Sequence, residues 1–311
     1  MPADNVINFN AEVKDALTNS RPVVALESTV IAHGLPRPQN IETARRLEQI
    51  VREAGATPAT IAVVVGKICI GLDAEQLEHI ANGQTVHKLS TRDLPVAVAR
   101  GWDGATTVAS TAFIAARAGL SVFATGGIGG VHRGALPDVS ADLPELAHTK
   151  LSIVVCSGAK SVLDLPATRE WLETHGVTVV GYACDEMPAF YTRASGLPVD
   201  VRCDSAEEVS SLARARRELG MDGALLVTVP VPAKDEVSAD YLRQVLEEAL
   251  GEAERQQIGG RDLTPFLLSR MAERSDGATL KANIALLESN AGVAAGIAVA
   301  LNEAEGSERD E

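Results

Sequence analysis

Three short strings in this chain could do chemistry together: Ala25-Leu26-Glu27-Ser28-Thr29, the run from Thr85 to Asp93 centred on Lys88, and the run from Val154 to Ser161 that carries Lys160. They supply a carboxylate, a cation and an amine. The spacing predicts that Lys160 follows an apolar strand and opens a helix. There the positive end of the helix dipole and desolvation would hold its amine partly unprotonated. That is the state a Schiff-base nucleophile needs. A solvated lysine at a helix start would fit the same pattern, although cations are disfavoured there.

Two glycine-bearing strings imitate nucleotide-binding motifs and fail their tests. Gly126 to Gly134 lacks the dinucleotide fingerprint, because His132 stands where the last glycine belongs. Ser157-Gly158-Ala159-Lys160-Ser161 resembles the end of a phosphate loop, but Ala159 precedes the lysine and the upstream glycine is missing. The glycines are expected to permit close backbone approach to a ligand or another subunit, with a plain tight turn as the alternative. Asp138 and Asp142 place two carboxylates four apart beside this loop, as oxygen ligands for a hard cation or as helix caps. Asn283 and Asn290, seven apart, fall on one helix face and could read a base or sugar, or bond to neighbouring loops.

The elements that must position these residues alternate regularly. Val23–Leu26, Thr60–Val65, Ser121–Ala124, Leu151–Cys156, Val177–Gly181 and Gly223–Val229 are apolar runs of the length of strands buried on both faces. Helical spacing fills Asn40–Ala54, Thr106–Ala118 and Ser161–His175, with Gly55, Gly119 and Gly176 as left-handed caps. This predicts an α/β fold: a largely parallel central sheet flanked by helices on both sides, an α/β/α sandwich. Ligands of such sheets sit beyond the carboxyl ends of the strands, where this chain keeps its polar and glycine-rich residues. The expected division is an N-terminal segment at 1–18, one α/β catalytic domain at 19–300 and an acidic disordered tail at 301–311. Pro230 to Asp276, more charged, reads as a helical excursion from the sheet.

At 311 residues and 46% hydrophobic content the chain can bury a large core. Its net charge of −14 argues against a nucleic-acid polymer as partner, so any anionic ligand must meet a local basic pocket. The four cysteines form no CxxC pair and read as reduced, buried thiols. The amino terminus lacks a signal-peptide layout, and Ala291–Leu301 is about half of the ~20 residues of a membrane span. A cytoplasmic protein without membrane contact is expected.

Taken in order, Ala25 to Pro36, Lys88 to Leu94, Gly126 to Gly134, Ser140 to Leu143, Cys156 to Ser161 and Asn283 to Leu286 resemble the pseudouridine-5′-phosphate glycosidase family, which includes indigoidine synthase A-like proteins. The resemblance runs from about Glu27 to Ala298. It implies reversible conversion of pseudouridine 5′-phosphate and water to uracil and ribose 5-phosphate, a carbon–carbon bond that two carboxylates alone do not cleave. By resemblance, Lys160 is the Schiff-base nucleophile and Glu27 the proton donor. Lys88, Val108, Ser140, Ala141, Asp142 and Asn283 contact the small-molecule nucleotide. Asp138 is the ligand of Mn²⁺ or another divalent cation, with Asp142 as the other carboxylate that could take that role. The resemblance further implies a homotrimer.

The chain departs from the family pattern by one residue of length at Ala147-His148-Thr149-Lys150, which leaves the flanking motifs intact, and it has neither length nor motif for a fused sugar kinase. Two other functions fit the residues. A Schiff-base aldolase on another sugar phosphate would keep Lys160 without needing Asn283, and a noncatalytic nucleotide-binding module would use Lys88 and Lys160 only to neutralise phosphate.

Overall fold

The computed structural model describes residues 6–134, 138–260 and 263–309. Its strands are β1 (Ile7–Phe9), β2 (Val23–Leu26), β3 (Thr57–Val64), β4 (Lys67–Ile70), β5 (His87–Leu89), β6 (Gly104–Thr106), β7 (Val122–Ala124), β8 (Ile153–Cys156), β9 (Val179–Tyr182), β10 (Val201–Cys203) and β11 (Leu225–Thr228). The helices are α1 (Ala11–Thr18), α2 (Gln39–Glu53), α3 (Ala74–Asn82), α4 (Leu94–Arg100), α5 (Val108–Arg117), α6 (Asp142–His148), α7 (Leu165–Thr174), α8 (Ala206–Glu218), α9 (Ala239–Arg255), α10 (Leu263–Arg274) and α11 (Ala278–Arg309).

All six predicted apolar runs become strands, and they form the middle of one sheet ordered β1-β4-β3-β2-β7-β8-β11-β9-β10. From β3 through β2, β7, β8 and β11 to β9 and β10 every pairing is parallel. The register sets Val24 beside Val122 and Val122 beside Ile153, so the strands end together at their carboxyl edge. Each residue of β2, β7, β8 and β11 is buried, which explains the unbroken apolar runs. Among the described strands of the sheet, antiparallel pairing enters where β4 and β6 meet β3. Five strands escaped the sequence reading: β1, β4, β5, β6 and β10 have three or four residues each, too few to show a period.

Helices cover both faces. On one, α11 lies across β2, β7 and β8 between α2 and α8; on the other, α5 packs on β2 and β7 with α6 beside it. Gly55, Gly119 and Gly176 do adopt left-handed φ angles of 88°, 77° and 72°. The cysteines are free thiols, and burial pushes that of Cys156 up to about 12. The charged stretch forms α9 and α10, tied by Arg274 to Glu248 and Glu252.

Two expectations need correction. Helix α7 does not start at Ser161: Asp164 caps it by accepting from the Ala167 N–H at 3.0 Å, and Pro166 occupies its first turn. Lys160 therefore lies in the irregular segment between β8 and α7. The tail expected to be disordered from 301 is helical to Arg309, because Leu301 is buried, Asn302 donates to the Ser20 carbonyl at 2.7 Å and Arg217 pairs with Glu305. Residues 310 and 311 lie outside the described residues. The apolar stretch Ala291–Leu301 is part of α11, which as a whole is long and apolar enough to cross a membrane by length and composition. Its apolar side instead packs on the sheet, with Ala282, Leu286, Ala294 and Ile297 fully buried.

Candidate active site

The carboxyl edge of the sheet opens into a cleft of about 310 Å³ whose lining includes Glu27, Lys88, Val108, Asp138, Ser140, Ala141, Asp142, Lys160 and Asn283. These are all nine residues nominated from sequence. They reach the cleft by different routes.

Glu27 follows β2 and is 8% exposed. Its neighbours are pinned: Ser28 donates to the Ile61 carbonyl at 2.6 Å and accepts from the Thr106 N–H, while Thr29 donates to the Thr106 carbonyl at 2.7 Å. Thr125, at the end of β7, donates to the Glu27 carboxylate. Burial raises the carboxyl above its ordinary value, and Lys160, the Thr125 hydroxyl and Lys88 pull it partly back, with Asp142 adding to the rise. A carboxyl so placed can hold a proton and give it up.

Lys160 follows β8 and is held by its backbone. Its N–H donates to the Ile128 carbonyl, the Ile128 N–H to the Gly158 carbonyl, both at 3.1 Å. Gly158 has φ 79°, and a Cβ there would lie 2.0 Å from the Pro188 carbonyl, so only glycine permits this path. The fixed point of the lysine is thus a backbone ladder near a buried carboxyl, and it does not open a helix. The close approach permitted by the other loop glycines is to the chain itself. A Cβ on Gly127 would strike Phe190, one on Gly129 would strike Ser140, and one on Gly130 would strike Thr168.

Asp142 opens α6 and spends both carboxylate oxygens on backbone, accepting from the Ala109 N–H at 2.9 Å and the Gly129 N–H at 2.7 Å. It binds the amino end of α5 to the glycine loop, a favourable site for a negative charge. The two asparagines of α11 also separate. Asn290 is buried and donates to the carbonyls of Thr125 and Gly126 while accepting from the Ser157 hydroxyl, whereas Asn283 lines the cleft.

Lys88 arrives on β5, a three-residue strand beside β6 in parallel register. Val108, the first residue of α5, faces the same space, where the Ala109 and Ser110 amides of the helix start are already taken by Asp142 and Thr107. Among the described residues no three acidic, histidine or cysteine side chains form a metal cage. With Asp142 engaged, Asp138 on the cleft lining is the carboxylate left for a cation, a donor set that suits an ion retaining most of its waters.

Sequence reasoning missed His33, Arg92, His132, Phe190 and the α10 residues Thr264 and Leu268, which also line the cleft. His33 had a signal, a histidine just past a strand-end carboxylate. Phe190 had none: it reaches the cleft because the chain after β9 turns back to donate its N–H to the Ser157 carbonyl.

A doubly wound sheet with an amine, a buried carboxyl and a second cation converging beyond its strand ends has the layout of an α/β enzyme. Residues 12–300 match the family described as indigoidine synthase A like protein, and the chain belongs to that family. It is 53% identical over 299 residues to a pseudouridine-5′-phosphate glycosidase of Caldanaerobacter subterraneus subsp. tengcongensis, covering 96% of this chain and 97% of the relative. A protein of the same name from Geobacillus kaustophilus is 51% identical over 292 residues, 93% and 97% of the two chains. The crystal structure of the prealnumycin C-glycosynthase AlnA in complex with ribulose 5-phosphate superposes with a TM-score of 0.89 at 40% identity, over 98% of this chain and 99% of that one. An indigoidine synthase A-like protein from Thermotoga maritima gives 0.87 at 40% identity, over 96% and 97%.

Proposed function

We propose that this enzyme cleaves the carbon–carbon glycosidic bond of pseudouridine 5′-phosphate, releasing uracil and ribose 5-phosphate. The observation that carries the reading is the meeting of Lys160 and the proton-holding Glu27 in one cleft, in a chain half identical to glycosidases of that name.

In this mechanism the Lys160 amine attacks C1′ of the ribose. The C1′–O4′ bond breaks and Glu27 gives its proton to O4′, opening the ring. The nitrogen then loses the proton it carried in, C5 of the base gains one, and the freed lone pair expels uracil as the C1′–C5 bond breaks, leaving an imine on Lys160. Water adds to the imine, the C–N bond breaks, and ribose 5-phosphate leaves. Lys88 receives the phosphate beside Val108 at the start of α5, Ser140 and Ala141 close around it, and Asn283 orients the base. Asp138 would hold a divalent cation such as Mn²⁺, which when bound neutralises substrate phosphate charge. The reading includes a cytoplasmic homotrimer, testable by sedimentation and fractionation.

The test is uracil release from pseudouridine 5′-phosphate with Mn²⁺, before and after chelation, with uridine 5′-phosphate as control. Release from the first substrate alone is expected, and its absence despite tight binding would refute the reading. The C-glycosynthase relative favours a second reading in which the same cleft forms the bond. Incubating uracil with ribose 5-phosphate measures that direction.

A further inference from the structure

Arg92 lines the cleft, and the mechanism above does not use it. Its backbone is fixed from both sides. Leu89 and Leu94 are buried, and the Leu89 carbonyl accepts from the Thr107 N–H at 3.0 Å and the Ser110 hydroxyl at 2.6 Å. Between them Thr91–Asp93 makes a single 3₁₀ turn. It is closed by the Asp93 N–H donating to the Ser90 carbonyl and the Ser90 N–H donating to the Asp93 carboxylate, both at 2.9 Å. The Arg92 side chain leaves this turn into water and is 77% exposed. Among the described residues its ionic partner is Asp93, 3.8 Å from Nε and already holding the Ser90 N–H. The terminal amino groups of the guanidinium have no partner among the described residues.

Charge gives this placement its meaning. The chain carries −14, so a phosphate dianion is repelled by the molecule as a whole, and the cleft must reverse that field locally. Its lining supplies Lys88, Arg92 and Lys160 against Glu27, Asp138 and Asp142. Asp142 is engaged by two backbone N–H groups, and burial raises the proton affinity of Glu27. Of the three cations, Lys88 and Lys160 are half-buried and Arg92 is exposed. An exposed charge makes a weak static pair, because water and salt screen it and its long side chain must be ordered. Its larger effect is on a charged ligand that is still approaching.

We propose that Arg92 is the outer recognition residue for the phosphate of an incoming sugar phosphate: its charge draws the dianion to the rim of the cleft, and Lys88 takes it further in. This rests on the sugar-phosphate reading of the cleft. Arg92 supplies charge rather than a fixed two-pronged contact, so lysine can replace it and salt can remove its effect. It has no part in the bond-breaking steps.

Calorimetry on the full chain with ribose 5-phosphate tests this for the wild type, Arg92→Gln and Arg92→Lys. The two conditions are about 0.01 M salt, where charges are felt over about 30 Å, and about 0.2 M, where they are felt over less than about 10 Å. At low salt Arg92→Gln should bind about three- to fivefold more weakly than the wild type. At high salt the three proteins should agree within about twofold, and Arg92→Lys should stay that close to the wild type in both conditions. Equal affinities of the wild type and Arg92→Gln at low salt would overturn the proposal. So would a loss that persists at high salt or is shared by Arg92→Lys, since either belongs to a fixed contact. Uracil release assayed in parallel separates the two ideas, with Arg92→Gln acting on KM at low salt rather than on kcat. Salt-sensitive, Arg92-dependent binding without release stands against the reaction, and release with no Arg92-dependent binding stands against this inference.

Discussion

Two parts of the sheet bring functional groups to one cleft by opposite means. The central parallel strands β2, β7 and β8 are buried along their whole length and end in Glu27, the glycine loop and Lys160. The β5–β6 pair hangs from β3 through an antiparallel contact, has three residues per strand, and ends in Lys88 and the start of α5. In the proposed mechanism the central strands carry the bond-breaking groups, which cannot shift without disrupting the core. The outlying pair carries those proposed to grip the ligand. Chemistry and binding should therefore separate along the sheet.

The largest expected effect is that of Lys160→Ala, which should lower uracil release by at least roughly a thousandfold with the fold unchanged. Turnover near the wild-type rate would end the covalent account. Glu27→Gln comes next, with a loss of roughly 10²–10⁴-fold for removal of a proton-transferring group, together with loss of one limb of the pH–rate profile.

On the outlying side, Lys88→Ala should raise KM about tenfold or more and change kcat far less, since an exchanged charge contact acts mainly on binding. A kcat loss comparable to that of the Glu27 variant would break the division between the two regions. Asn290→Ala should cost about 1–3 kcal/mol of stability, because it leaves the buried Thr125 carbonyl without its donor, while the Gly126 carbonyl keeps the Ser157 N–H. Asn283→Ala should leave the melting temperature near that of the wild type and act on KM.

The smallest effect concerns stability. Burial raises the Glu27 carboxyl above 4.5, so the folded chain binds its proton more tightly than the unfolded one. The stability linked to that proton is complete below about pH 4.5 and is lost as pH rises through the folded value. Glu27→Gln should thus gain melting temperature relative to the wild type more at about pH 8 than at about pH 4. Equal shifts at both would show that the carboxyl is not raised.

The same division governs what could be read in the residues. Val24, Phe123 and Val154 lie in apolar runs because both faces of their strands are covered, and such runs announce themselves. His87-Lys88-Leu89 and Gly104-Ala105-Thr106 carry no comparable pattern, being stabilised by tertiary contacts that a short window does not contain. Lys88 was legible as a cation in a polar string, whereas its place on the short strand β5 was not. The carboxyl-edge rule placed Glu27 and Lys160 together, yet the reason given for Lys160 was wrong: Asp164 and Pro166 start α7 later, and backbone bonds to Ile128 fix the lysine instead. Phe190 depends on how a distant segment folds back, which no spacing records.

The most direct test is borohydride reduction of the enzyme incubated with ribose 5-phosphate, followed by mass mapping of the modified peptide. The account predicts a reduced sugar-phosphate adduct on Lys160 and on no other lysine, absent in Lys160→Ala. Uracil release from pseudouridine 5′-phosphate by an enzyme that never yields an adduct at Lys160 would contradict it.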